Sequence, residues 1–479
     1  MSLHTLFGFL KSAPRRTTRR RARRRTAHRF PVESLEQRLL LSAYMQTNLA
    51  ADQPGLAAVH DPELIDAWGI AINPNGTFWV SARATDVSTV YSGDVTQADG
   101  TRTPFVKSAL TVTIPGGAPT GQVFSGSGDF VVTSGEFSAP ARFIFASETG
   151  HITGWNPAVP PPAPSRNAQL TASMPGAVYT GLAIANNGTG NFLYAADFEN
   201  GEIDVFDRTY APTTLEGSFT DPTIPDDYAP FNIQELGGQL FVAYARQDGD
   251  GNGLPDGGAG FVSVFDTDGN FLNRVVTGRN LKAPWGLALA PADFGEFSNA
   301  LLVGNTGNGR INAFEVTTGA FLGQLRDQAG APITIDGLRG LDFGNGTVSG
   351  DRNALYFSAA PDNQEHGLFG SLRVVTDPPV ASASGLSESV GEQSGDGILP
   401  PASVGSRVEL STLAGTTPIA GDSVATAVSS VQSVGSGRAS SDDWRLAGED
   451  SLLADQPEHD LDDLFADVEG ELLASLLTV

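Results

Sequence analysis

The 479-residue sequence contains no cysteine. Disulfide bonds, thiolate metal sites and cysteine nucleophiles are therefore excluded for this chain. No run of apolar residues approaches the roughly 18 that a membrane-spanning helix requires, so the sequence predicts no transmembrane segment. The 6 histidines are scattered without the spacing of a helical metal motif. Neither a GxSxG nucleophile motif nor a phosphate-binding loop occurs, so catalytic signatures are few.

The charge is unevenly distributed along the chain. The formal net charge is −25, although nine arginines lie between Arg15 and Arg29. The rest of the chain is therefore more acidic than the total indicates. Such a body repels nucleic acid and anionic membrane surfaces, and we predict no nucleic-acid partner. An arm that binds nucleic acid is the alternative interpretation of the basic run.

A repeated unit organises most of the sequence. Its most complete copy, Pro284–Leu325, has the pattern of four short antiparallel strands joined by turns such as Thr306–Gly309. A string of the type Gly-Leu-Ala-Leu recurs with a spacing that predicts six repeats of about 50 residues. Its copies begin at Gly69, Gly181, Gly286 and, more weakly, Gly340.

This pattern predicts an all-β fold, a six-bladed β-propeller of four-stranded antiparallel blades. The small residues of the repeated string are expected to line a crowded central channel. Met45–Leu49 is expected to close the ring by pairing with the last blade, and residues 62–67 are expected to form a short helical turn.

Composition divides the chain into a propeller over 44–375 and extensions at both ends. Residues 376–441 are rich in Ser and Gly and contain no aromatic residue, which predicts a disordered linker. Residues 442–479 place leucines at helical spacing between acidic residues, which predicts an acidic amphipathic helix. This helix either docks on a partner or on the propeller, or it stays on a tether.

Residues 1–43 end in the sequence ESLEQRLLLSA after the basic run. This end resembles the LEPR-XLL segment of large secreted bacterial surface proteins, with Gln37 in place of the proline. The matching residues are Leu35, Glu36, Arg38, Leu40 and Ala43. The resemblance implies an export segment and a secreted or cell-surface location in bacteria.

Tyr44–Leu372 resembles an uncharacterised family of secreted bacterial six-bladed propeller proteins related to NHL-type and TolB-like propellers. The strings that carry the resemblance include LAADQPGLAAVHDPELIDAWGIA, FIFASETGHITGWNP, LYAADFENGEIDVFD and WGLALAPADFGEFSNALLVGN. The resemblance implies the fold and no particular activity. The likeness to gluconolactonase-type propellers is at the level of the fold alone.

One loop, DGDGNGLPD at 248–256, alternates oxygen-bearing residues with glycines. Oxygen ligands at alternate positions, with Gly at the sixth, are typical of a calcium loop of the EF-hand type. The expected ligands are Asp248, Asp250, Asn252, the carbonyl group of Leu254, and Asp256. Ala259 stands where a bidentate glutamate would be, so we predict weak calcium binding. A hairpin tip that binds no cation is the alternative. Calcium is the one cofactor that the sequence indicates.

The loops after the second strand of each blade are expected to share one face of the propeller. Glu148, Asp197 and Asn305 take similar places in three blades, and we predict that they ring a cation or a polar ligand. Gluconolactonase-like propellers, by resemblance, place such residues around a divalent metal. The alternative is that each residue begins a tight turn by bonding its own backbone. Trp68 and Trp285 precede equivalent glycines and either pack between blades or form a ligand platform.

Two functions are compatible with the sequence. The first is a secreted or surface-held propeller, expected to be monomeric, that binds an unknown protein or glycan. The alternative is a metal-dependent hydrolase of the lactonase type that uses acidic residues at the channel mouth. The small number of catalytic signatures favours the binding module.

Overall fold

The computed structural model of the protein describes residues 42–247, 259–278 and 280–375. These residues form six sheets of at least four strands, together with one small inserted hairpin. Most of the predicted export segment, the predicted calcium loop 248–256, the linker and the C-terminal helix lie outside the described residues. Among the described residues, no helix is long and apolar enough to cross a membrane.

Each blade is a sheet whose antiparallel strands follow one another from the axis to the rim. The chain begins with β1 (Ala43–Ala51) and the short β2 (Val59–His60). Blade one contains β3 (Ala67–Ile72), β4 (Phe78–Ala82), β5 (Val87–Ser92) and β6 (Val106–Thr113). Blade two contains β7 (Pro119–Phe124), the inserted hairpin β8 (Val131–Ser134) and β9 (Phe137–Pro140), then β10 (Phe143–Ser147), β11 (His151–Trp155) and β12 (Gln169–Ser173).

The remaining blades repeat this order. Blade three contains β13 (Tyr179–Asn186), β14 (Asn191–Asp197), β15 (Glu202–Phe206) and β16 (Pro212–Thr213). Blade four contains β17 (Tyr228–Leu236), β18 (Gln239–Arg246), β19 (Gly260–Phe265) and β20 (Phe271–Gly278). Blade five contains β21 (Pro284–Leu289), β22 (Leu301–Asn305), β23 (Ile311–Phe314) and β24 (Phe321–Gln324). Blade six contains β25 (Leu338–Phe343), β26 (Ala354–Ala359) and β27 (Leu368–Val375).

The predicted six-bladed propeller is therefore confirmed, and so is its closing strand. β1 pairs antiparallel with β27, from Ala43 opposite Val375 to Ala51 opposite Leu368. Blade six thus takes its outer strand from the start of the propeller. This pairing covers a sheet edge that would otherwise be exposed and joins the two ends of the ring.

The short helical turn predicted over 62–67 is wrong. In the described residues, helical structure is limited to 3-10 turns at Arg83–Thr85 and Gly295–Phe297 and one turn at Pro361–Gln364. The Asp61 side chain accepts a hydrogen bond from the N–H group of Glu63 at 3.0 Å and folds the segment into a turn. An aspartate that bonds the backbone two residues later competes with helix formation.

Apolar side chains fill the spaces between neighbouring blades. Trp79 of blade one stacks on Phe143 of blade two, with ring centroids 4.1 Å apart. Phe78 lies on the opposite side of β4, and its ring centroid is 4.6 Å from that of Tyr356 in blade six. Each blade therefore buries both faces against its neighbours, and no blade has a complete core by itself.

The innermost strands approach one another most closely at the glycines of the repeated string. A Cβ atom on Gly69 would lie 2.4 Å from the carbonyl oxygen of Thr120, and one on Gly121 would lie 2.3 Å from the nitrogen of Leu182. The space that this ring of glycines encloses is about 10 Å³. That volume is at the lower limit for one water molecule. A ligand on the propeller axis must therefore bind above or below this ring.

Candidate functional site

One face of the propeller, here called the upper face, collects the ends of the second strands and the beginnings of the innermost strands. The strand register shows this in blades one, three, five and six. The terminal Cα partners there are Ala67 and Ala82, Tyr179 and Asp197, Pro284 and Asn305, and Leu338 and Ala359. The loops after the second strands therefore share this face, as the sequence predicts.

Two of the three residues predicted to ring a ligand hold segments of the upper face in place. The fully buried Asp197 carboxylate accepts a hydrogen bond from Nδ2 of Asn200 at 2.7 Å and another from the N–H group of that residue. Asn305, also fully buried, accepts a bond from the N–H group of Lys282 at 3.1 Å. Its Nδ2 donates to the carbonyl group of Asn280 at 2.8 Å. Asp197 thus holds its own turn, whereas Asn305 holds the connection that enters its blade, and the ligand ring stays a prediction.

The third predicted residue, Glu148, belongs to a polar network centred on Arg83. Nη1 of Arg83 lies 2.7 Å from Oε2 of Glu148, and Nη2 donates to Oε1 of Gln364 at 2.9 Å. The Nε of Arg83 bonds the buried carboxylate of Asp66. Arg83 therefore connects blades one, two and six at the channel mouth. The side chains of Arg83 and Glu148 are 26% and 28% exposed, so the network reaches solvent.

A second arginine lies below this network. Arg339, the second residue of β25, is only 3% exposed, and its Cζ atom lies 4.1 Å from the centre of the Trp68 ring. The Cζ atom of Arg83 lies 5.7 Å from the same ring. Both cations therefore interact with one indole ring, an arrangement that strengthens when water is excluded. Among the described residues, no carboxylate oxygen lies within 4.0 Å of the Arg339 guanidinium, and burial lowers the pKa of this group to about 10.

Three buried polar atoms gather at this place without a hydrogen-bond partner among the described residues. They are Oδ1 of Asp66, Nε1 of Trp68 and Nε of Arg339. The described part of the chain has seven such atoms in all, so nearly half of them are concentrated here. Each buried and unpaired polar group costs about 1–3 kcal/mol. Burial also raises the pKa of the Asp66 carboxyl, although Arg83 and Arg339 oppose this shift.

We call this set of six residues the mouth cluster: Asp66, Trp68, Arg83, Glu148, Arg339 and Gln364. Its member Gln364 lies on an unusual loop. Asp362, Asn363 and Gln364 have φ angles of 54°, 55° and 72°, in the left-handed region, although none of them is glycine. Such backbone conformations each cost on the order of 1 kcal/mol and are often retained at functional sites.

The two tryptophans that precede equivalent glycines pack at the centre of the molecule. Trp68 and Trp285 are 3% and 5% exposed, and their ring centroids lie 6.4 Å apart in an edge-to-face arrangement. Nε1 of Trp285 donates to the carbonyl group of Thr180 at 2.9 Å. The structure therefore gives both residues a packing role beneath the upper mouth.

Sequence reasoning did not identify Asp66 or Arg339 as site residues, although a signal was present. The residue before the inner-strand glycine, or before Asn232 in blade four, lies near the beginning of the innermost strand. This position holds an aromatic residue or threonine in five blades and a charged residue only in blade six. Its occupants are Trp68, Thr120, Thr180, Phe231, Trp285 and Arg339. A comparison of the repeats at this position would have singled out Arg339.

Metal binding has no support in the described residues. Within them, no group of three or more histidine, aspartate or glutamate side chains is placed to hold a metal ion. Glu148 pairs with Arg83, Asp197 bonds its own loop, and Asn305 bonds the connection before its blade. The predicted calcium ligands lie outside the described residues, and calcium binding stays a prediction.

Comparison with known proteins identifies relatives but no activity. No family model matches the chain. The chain is 35% identical over 332 residues to uncharacterized protein R648 of Acanthamoeba polyphaga mimivirus, which covers 68% of this chain and 78% of that protein. It is 34% identical over 356 residues to uncharacterized protein L690 of the same virus, which covers 71% of this chain and 88% of that protein.

Solved structures with low sequence identity are also similar. A putative gluconolactonase matches 70% of this chain and 92% of its own length, with 12% identity and a TM-score of 0.40. A streptogramin B lyase matches 70% of this chain and 98% of its own length, with 12% identity and a TM-score of 0.38. These likenesses concern the fold alone.

The matched relatives differ from those that the sequence resemblance implied. They are viral proteins, so the expected bacterial origin has no support from them, and the predicted export segment gains none. The aligned regions nevertheless cover most of this chain and most of each relative. The chain belongs to the same family as the uncharacterized mimivirus proteins R648 and L690.

Proposed function

We propose that this protein is a non-catalytic binding module that takes a polar ligand at the mouth cluster. The observation that carries the proposal is the concentration of unpartnered buried polar atoms around Trp68. A fold gains nothing from such atoms, because each one has lost its bonds to water without replacing them. A ligand that supplies the missing partners accounts for their retention.

Arg373, the second buried arginine among the described residues, has the contacts expected of an arginine that stabilises the fold. Arg373 is 8% exposed, and its Nη2 lies 2.7 Å from the Asp94 carboxylate while its Nη1 bonds Asp351. Two carboxylates thus compensate this cation, although its Nε has no partner. Arg339 is more deeply buried and has no carboxylate at comparable distance among the described residues. Its environment resembles a site that is completed by a ligand.

The hydrolase alternative gains no specific observation. It requires acidic and amide groups that are free to ring a metal ion at the mouth. Arg83 engages Glu148, and the loops of the propeller engage Asp197 and Asn305. A secreted or surface location remains part of our proposal, and it rests only on the N-terminal sequence resemblance.

The proposal is tested by the stability of two matched variants, Arg339→Met and Arg373→Met. Methionine keeps much of the length of arginine and removes its charge and donors. Arg373→Met leaves Asp94 and Asp351 without a cation and should cost about 3–5 kcal/mol. Thermal unfolding should then begin about 5–10 °C lower. Arg339→Met should leave the melting temperature unchanged or raise it, because it removes a buried cation that no carboxylate pairs directly among the described residues. An equal loss in both variants would show that Arg339 serves the fold, and the proposal would be wrong.

A further inference from the structure

We infer that the ligand of the mouth cluster is a neutral, polyhydroxylated molecule, a sugar, that places a hydroxyl group between Asp66 and Arg339. The inference rests on the proposed function and adds the chemical class of the ligand. It is drawn from the donors and acceptors of the cluster, from its charge and from its depth.

The unpartnered atoms of the cluster include both donors and an acceptor. Nε of Arg339 and Nε1 of Trp68 each carry a hydrogen, whereas Oδ1 of Asp66 is an acceptor. A hydroxyl group donates one hydrogen bond and accepts up to two. A hydroxyl group can therefore serve donors and acceptors of this kind alike. A carboxylate or phosphate offers only acceptors and would leave Asp66 without a donor.

The formal charges of the cluster already cancel. Arg83 and Arg339 are cations, and Asp66 and Glu148 are carboxylates that pair with Arg83 and act on Arg339 from a greater distance. An anionic ligand would add a negative charge to this balanced and largely buried set, next to two carboxylates. Burial of an uncompensated charge is strongly unfavourable. The net charge of −25 on the whole chain opposes the approach of an anion as well. A neutral ligand avoids both costs.

The depth of the site limits the size of the group that enters it. Trp68 of the cluster and the neighbouring Trp285 are both buried, and the ring of glycines encloses only about 10 Å³. The side chains of Arg83 and Glu148 reach solvent, and they offer further donors and acceptors to a sugar.

The inference is tested by calorimetric titration of the full-length protein with D-glucose, D-galactose and D-mannose in turn. D-glucuronate serves as the anionic counterpart. A ligand of about a dozen non-hydrogen atoms is expected to bind in the millimolar range. Arg339→Met and Asp66→Asn should each weaken the binding about ten- to a hundredfold, because a bond to a charged group is lost.

The control variant is Arg246→Met. Arg246 ends the second strand of blade four, is 53% exposed, and pairs with Asp227 on the same face, away from the mouth cluster. We expect this variant to bind the sugar as the native protein does. Binding of glucuronate in place of the neutral sugars would overturn the inference and leave the proposed function intact.

Absence of binding by all four compounds would also overturn the inference, since water would then be the partner of the buried atoms. The proposed function is judged separately by the melting temperatures of Arg339→Met and Arg373→Met, so failure of one does not imply failure of the other.

Discussion

The guanidinium carbon of Arg339 lies 4.1 Å from the ring centre of Trp68, although these residues belong to the last and the first blade of the propeller. The contact exists only because the ring closes. Arg83 of blade one reaches Gln364 of blade six across the same junction. The mouth cluster is thus built where the pairing of β1 with β27 joins the two ends of the propeller. A ligand at this place would also hold the ring closed, and it would stabilise the fold by mass action.

Replacement of Arg83 by alanine should destabilise the propeller. The change removes bonds to Asp66, Glu148 and Gln364 and leaves the buried Asp66 carboxylate without its ion-pair partner. Loss of one partner from such a pair costs about 3–5 kcal/mol. We expect thermal unfolding about 5–10 °C below that of the native protein. Arg246→Ala, which breaks an exposed pair, should change the melting temperature by about 2 °C or less. Equal effects in the two variants would contradict the role assigned to Arg83.

Stability should depend on the protonation of Asp342 in the innermost strand of blade six. Burial raises the pKa of this carboxyl to about 7, and one hydrogen bond from the N–H group of Phe343 does not offset it. An unfolded aspartate titrates near pH 4. Between about pH 4 and pH 7 the folded state therefore retains a proton that the unfolded state releases. The free energy of unfolding consequently falls as pH rises through this range.

The measurement for Asp342 compares the native protein with Asp342→Asn at two pH values. At pH 8 we expect the variant to melt about 2–5 °C above the native protein, because it removes a carboxylate whose charged form the folded protein disfavours. At pH 5 the difference should be clearly smaller, because most of the range between the two pKa values lies above pH 5. A difference that does not change with pH would show that Asp342 is ionised throughout this range.

Gly319 should tolerate no side chain. Its φ angle is 67°, and a Cβ atom would lie 1.4 Å from the carbonyl oxygen of Val275 in the neighbouring blade. Gly201 is the matched control, since its φ angle is 72° and a Cβ atom there would have nothing within 4 Å. Gly201→Ala should cost about 1 kcal/mol through backbone strain alone. Gly319→Ala should cost clearly more, measured by urea unfolding. A similar loss in both variants would show that the two blades can separate at this point without penalty.

Calcium binding by Asp248–Asp256 remains a prediction from the sequence. Without a glutamate at the twelfth position, affinity should lie in the weak range of roughly 10⁻⁴–10⁻³ M. Calcium at about ten times the dissociation constant would add about 1.4 kcal/mol to the free energy of unfolding. The melting temperature should then fall by about 3 °C when a chelator removes the ion. Asp250→Ala should abolish this difference. Identical melts with millimolar calcium and with chelator would leave the loop as a hairpin tip.

The architecture could be predicted because each blade carries its own local signals. The strings that begin at Gly69, Gly181 and Gly286 mark innermost strands, since only residues without a bulky side chain fit at the crowded axis. The turn at Thr306–Gly309 marks a hairpin by its backbone preferences alone. These signals act over a few residues, and six copies of them define the ring.

The mouth cluster could not be predicted in the same way, because its contacts join distant parts of the chain. Arg83 meets Glu148 and Gln364, which lie 65 and 281 residues further along the chain. No local pattern indicates which blade ends face one another at the mouth. The sequence indicates Glu148 because it follows a second strand. It does lie at the mouth, but its partner is Arg83 of the protein itself. A comparison of the repeats singles out Arg339, but its contact with Trp68 is known only once blade six is placed next to blade one.

The most direct test of a sugar at the mouth cluster is the nuclear magnetic resonance signal of the Trp68 indole N–H group. That group has no partner among the described residues, whereas the indole N–H group of Trp155 donates to the carbonyl group of Ser165 at 2.9 Å. We predict that titration with the neutral sugars shifts the Trp68 signal in a saturable way and leaves the Trp155 signal in place. Arg339→Met should remove the shift. A Trp68 signal that stays unchanged up to about 100 mM sugar, well above the millimolar range expected for binding, would contradict the account.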